Sequence, residues 1–154
     1  MDIYDESFKK TFIGWLDQRL VSELYIQTES LKASEELKKF LSGRVEAILP
    51  IVKVSQTISN MPVDIYGFAP HETYEKHWPL LYKSMDTWSA VKKKKGLIIN
   101  EQLSRRLNLK VSEMITFESK IGNSITLQIL GVYSDYGNPK GQLMLPLTLF
   151  NQYF

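Results

Sequence analysis

Residues 96–109 read GLIINEQLSRRLNL, and the fold turns on how this stretch is parsed. Leu97, Ile98 and Ile99 form a short apolar run between a glycine and an asparagine, the pattern of a buried strand. Asn100 can accept a hydrogen bond from a backbone N–H one turn on, so it caps a helix over 101–107. Leu103 and Leu107 recur at helical spacing and face inward. Asn108 tolerates the left-handed conformation that ends a helix. Strand and helix thus follow one another directly.

Working outward toward the C-terminus, residues 114–117 and 125–133 read as strands around a Gly122-Asn123 turn. The stretch SDYGNPKGQ, 134–142, is a polar loop. Residues 143–145 form another short strand, and Pro146 opens a last helix. Toward the N-terminus, the four lysines at 92–95 and Gly96 form an exposed bend. Asp86 caps a short segment around Trp88. Pro70 stands at the first position of a helix that Trp78-Pro79 ends. Residues 45–58 are apolar and β-branched, interrupted by Pro50, and 63–68 alternate. An Asn60-Met61-Pro62 turn makes 45–68 an antiparallel hairpin. Ser30 caps a helix over 31–42 with Leu31, Leu37, Phe40 and Leu41 inward, and Gly43 ends it. Residues 21–28 read as a strand. Residues 2–20 read as a helix with Phe8, Phe12, Trp15, Leu16 and Leu20 on one side.

An α/β first half and a β-rich second half make an α+β protein of two lobes. The expected division is an α/β lobe with the N-terminal helix over 1–90, a small β-rich lobe over 91–146, and the start of a helix over 147–154.

The chain has 154 residues, of which 44% are hydrophobic and 23% charged, so it folds rather than remaining disordered. It has no cysteine, which removes thiolate nucleophiles, disulfides and Cys-ligated metal centres. A formal net charge of +2 is too balanced to imply nucleic acid or an anionic membrane as the main partner. The charge is uneven, however. Residues 1–75 carry 8 basic and 12 acidic side chains, and residues 76–154 carry 11 and 5. No apolar run approaches the ~20 residues of a membrane span.

Little in the sequence points to catalysis. His71 and His77 are not at a same-face helical spacing, no HExxH is present, and a solvated helical turn is the favoured reading over a metal site with Glu72 and Glu75. There is no GxSxG, no GxGxxG and no GxxxxGK[ST]. No cofactor is expected. A small hydrolase using Asp135, His71 or His77 needs those groups to converge in a pocket. A single-strand nucleic-acid binder needs Trp88 and Tyr82 on the face of the 92–95 lysines.

The order of several segments adds a family signal. These are FKKTFIGWLDQRL (8–20), ELYI (23–26), GLIINEQLSRRLNL (96–109), ILGVYSDYGNPKGQ (129–142) and LMLPLTLF (143–150). Together they resemble the extracytoplasmic domain of FtsX-like, MacB-type ABC transporter permeases, and they span nearly the whole chain. One departure is Ser112-Glu113, where the family pattern has Gly-Asp before the next strand. Serine disfavours the positive φ that such a glycine allows.

The resemblance implies a porter-like α/β lobe with a smaller β-rich lobe inserted. It also implies a non-enzymatic, extracytoplasmic domain of a cytoplasmic-membrane protein. The implied partners are the protein's own transmembrane helices and a cytoplasmic ATPase subunit, with an envelope protein or lipophilic substrate as a further partner and no nucleic acid. Tyr133, Asp135, Tyr136 and Asn138, in or beside the 134–142 loop, are candidate partner contacts. So are Trp78 and Trp88 in the aromatic, irregular stretch 78–88.

Overall fold

The computed structural model describes residues 31–44, 49, 51–77, 80–83, 86–134 and 138–154. The expected helix over 2–20 and strand over 21–28 lie outside the described residues. The first described element is α1, Leu31–Leu41. It ends at Gly43, whose φ of 79° is the left-handed conformation expected of it. Phe40 does not face inward: it is 60% exposed, and the Arg44 guanidinium lies 4.5 Å from its ring centre. A cation over the ring favours this surface position.

Strands β1, Ile51–Ile58, and β2, Met61–Phe68, form the expected antiparallel hairpin. Its turn is Ser59-Asn60, with φ of 47° and 65°, rather than Asn60-Met61-Pro62. Two left-handed residues match the twist of the flanking strands, which is why a two-residue turn wins. Pro62 therefore sits inside β2, opposite Thr57. Pairing of β2 with its other neighbour begins only at Val63, so the missing N–H costs no ladder bond.

Then come α2 (Glu72–His77), β3 (Leu80–Lys83), α3 (Thr87–Lys92), β4 (Gly96–Asn100) and α4 (Glu101–Leu107). They are followed by β5 (Met114–Glu118), β6 (Ser124–Tyr133), β7 (Gly141–Pro146) and α5 (Leu147–Tyr153). Pro70 precedes α2 instead of opening it, because the first turn is built on the His71 carbonyl, which accepts from the Tyr74 N–H. Asp86 occupies the N-cap of α3 but makes no side-chain capping bond; its carbonyl accepts from the Ala90 N–H.

The fold is α+β, as expected. Among the described residues, seven strands form one sheet in the order β1-β2-β7-β4-β6-β3, with β5 paired to β6. The β2–β7 and β4–β6 pairs are parallel and the others antiparallel. Both expected segments, 1–90 and 91–146, supply strands to this sheet. Side chains alternate between its faces. One face buries Val63, Ile65, Leu97, Ile99, Leu143 and Leu145 beneath Leu103 of α4 and Leu149 and Phe150 of α5. The other buries Phe68, Ile98, Leu130 and Met144 beneath Tyr74 of α2 and Val91 of α3. Gly67 lets α5 approach closely, since a Cβ there would lie 2.6 Å from the Phe150 Cβ.

Candidate functional site

The sequence directs attention to the end of the sheet where β4 meets α4 and where the 134–142 loop returns to β7. That loop leaves β6 and rejoins the sheet on the far side of β4. Its described end, 138–142, comes back beside the end of β4, where Asn100 lies.

Asn100 is fully buried and carries more than the expected cap. Its Oδ1 accepts from the Leu103 N–H at 3.1 Å, which starts α4. The same oxygen accepts from the Gln142 N–H at 2.8 Å. Its Nδ2 donates to the Lys140 carbonyl at 3.1 Å. One amide side chain thus starts a helix and ties the returning chain to the end of β4. A buried amide with this many partners is well satisfied, and losing them would strand backbone groups away from water.

A row of polar groups continues across the same sheet face. Tyr133 is buried, and its hydroxyl donates to Gln142 Oε1 at 2.7 Å. Gln142 lies opposite Asp64 on β2. Asp64 is 5% exposed, and its Oδ1 accepts from Ser55 Oγ at 2.7 Å. Lys140 Nζ stands 4.0 Å from the same oxygen. Beside it, Asn138 Oδ1 accepts from the Lys140 N–H at 3.0 Å, a local turn bond.

Of the sequence-derived contact residues, Tyr133 and Asn138 fall in this corner. Tyr133 belongs to the second core cluster, with its hydroxyl on Gln142. Asp135, Tyr136 and Trp78 lie outside the described residues. Trp88 is half-buried on α3 against the second core cluster. Of the three described candidates, Tyr133 and Asn138 share this corner and Trp88 lies on α3. Sequence reasoning missed Asp64, Ser55 and Gln142. Asp64 interrupts the otherwise apolar run of β2, and that interruption was the available signal.

Among the described residues no three His, Asp or Glu side chains gather as a metal site would require. Two small surface cavities, of about 190 and 390 Å³, are lined by residues such as Lys95, Ser112 and Gln128, and Val54, Gln56 and Phe154. Neither includes His71. Residues 92–95 are exposed, as expected, and Lys92 pairs with Glu75 at 2.6 Å.

Ser112, where the resemblance would have a glycine, has a φ of 78°, a left-handed conformation that a serine holds at a cost. The Ser112 N–H donates to the Ile129 carbonyl at 2.8 Å, and Gln128 Nε2 donates to the Ser112 carbonyl at 3.3 Å. These bonds hold the turn against its strain.

No family model matches the sequence, and no curated protein matches it. Among solved structures, the chain is similar to the extracellular domain of the noncanonical ABC-type transporter YknZ from Gram-positive bacteria. The match has a TM-score of 0.53 at 13% identity and covers 84% of this chain and 73% of the other. The chain thus shares the fold of a transporter's extracellular domain. Among the described residues, no helix is long and apolar enough to cross a membrane.

Proposed function

We propose that this chain is a non-catalytic extracytoplasmic domain of an ABC transporter permease of the FtsX-like, MacB-type kind. The observation that carries this reading is the fold shared with an ABC-type transporter's extracellular domain over 84% of the chain. The ordered segments from WLDQRL to the 134–142 loop support the narrower family. In this reading the nucleotide chemistry belongs to a cytoplasmic ATPase subunit, and the domain carries its motion outside the membrane. The 1–90 segment is the porter-like lobe, 91–146 the smaller lobe, and 147–154 the start of the return toward the membrane. The 134–142 loop, fixed at its base by Asn100, is the first contact surface for an envelope protein or lipophilic substrate, and the 78–88 stretch is the second.

Topology tests this directly. The chain has no cysteine, so a single Lys93→Cys in the whole gene product gives the domain one thiol. Lys93 is exposed and has an ordinary φ of −82°, whereas Lys94 sits at a positive φ. A membrane-impermeant maleimide should label it in cells whose cytoplasmic membrane is intact, after any outer membrane is opened. Labelling only after that membrane is lysed overturns the proposal.

A further inference from the structure

Strand β6 is ten residues long and belongs to two neighbourhoods. Its C-terminal half lies between β4 and β3. Its N-terminal half pairs with β5. The two halves join at a bulge: Leu97 pairs with Ile129 and Ile98 with Gly131, leaving Leu130 without an opposite number on β4. A bulge bends its strand and leaves a ladder group unpaired. Here the Leu130 carbonyl accepts from the buried Thr87 Oγ1 at 2.9 Å. At the next residue a Cβ on Gly131 would sit 3.2 Å from the Thr87 Cγ2. Helix α3 therefore pins the join from one side.

Beyond the bulge, the β5–β6 hairpin curls over the other sheet face. Ile115 and Phe117 enter the core cluster beside Leu149 and Phe150. Phe117 stacks on Phe154, with ring centres 6.2 Å apart, and the Lys120 N–H donates to the Tyr153 carbonyl at 2.9 Å.

Among the described residues, the strand partner of β5 is β6, and its outer edge has none. At one point on that edge a side chain stands in. Gln56 Nε2 donates to the Glu118 carbonyl at 2.9 Å, and the Glu118 N–H donates to Gln56 Oε1 at 2.9 Å. One carboxamide from β1 meets both backbone groups of one residue, as a neighbouring strand's peptides would. Both bonds are exposed, so water can replace them at modest cost.

We infer that the β5–β6 hairpin is a hinged arm, with the Leu130 bulge as its hinge and Gln56 as the clasp holding its far end to β1. The inference goes beyond the transporter reading and stands on geometry alone. Hydrogen exchange on the whole gene product tests it without any transport assay. Gln56→Ala removes both clasp bonds, and Gln56→Met removes them while keeping the side chain's bulk. In either variant, the Glu118 and Lys120 amides, which bond outside the arm to Gln56 and Tyr153, should exchange about tenfold faster. Amides of 97–99 and 143–145 should keep their rates. Equal acceleration in both sets overturns the inference, because the hairpin then opens only with the core. Unchanged rates in a folded variant overturn it too. If Gln56→Ala fails to fold, Gln56→Met carries the same comparison.

Discussion

Strands β4 and β5 are each five residues long and lie in the same sheet, GLIIN in one and MITFE in the other. Every residue of β4 is buried, whereas β5 alternates between exposed and buried. The cause is position. β4 lies between β7 and β6 with helices over both faces, so neither face meets water. Among the described residues β5 pairs with one strand and wets one face, so Thr116 points outward while Ile115 and Phe117 point in. Central strands tolerate no added volume and no unpaired polar group. Edge strands tolerate both, and here the edge is fastened by a side chain.

Substitutions in the two regions test that contrast. Gly96→Ala should have the largest effect. A Cβ at Gly96 would overlap the Gln128 carbonyl oxygen of the neighbouring strand, and backbone cannot move aside as a side chain can. The expected loss is about 3 kcal/mol or more, read as a lower urea midpoint. A loss under about 1 kcal/mol would mean that β4 is less tightly held than its burial indicates.

Asn100→Ala comes next. It removes the cap of α4 and strands the Gln142 N–H, for a loss of about 2 kcal/mol in the same measurement. An unchanged midpoint would show that the amide is not what ties the returning chain to β4.

The smallest effect is expected at the turn leading into β5, and its sign is reversed. Ser112 holds a φ of 78°, which costs a serine more than a glycine. Ser112→Gly should therefore stabilise by up to about 1 kcal/mol. Destabilisation would show that the serine side chain contributes something the backbone bonds do not.

The Asn100 corner illustrates how far the sequence could be read. Its capping role was legible, because a cap is decided by neighbours three residues apart; the Leu103 N–H does donate to it. The left-handed Asn108, with φ of 51°, was legible for the same reason. Its second role, holding Lys140 and Gln142, was not, because those partners lie 40 and 42 residues away. The 59–62 turn shows a local misreading. Asn60 is a turn residue, but the turn lies at Ser59-Asn60, and Pro62 belongs to the strand. A proline fits inside a strand where no neighbour needs its N–H.

Local sequence chemistry carries the α+β class, the β4–α4 unit with its two asparagine caps, the short C-terminal helix after Pro146, and the antiparallel hairpin, expected over 45–68 and described over 51–68. Each follows from periodicity, capping or turn chemistry within a few residues. Long-range packing makes β4 central and puts β5 off the main strand path. It alone placed Thr87 beneath the Leu130 carbonyl, 43 residues on, and Gln56 against Glu118, 62 residues on. The reason is that a strand carries its hydrophobic alternation in its own residues, but its neighbours are chosen by how distant apolar faces and unpaired backbone groups are jointly satisfied.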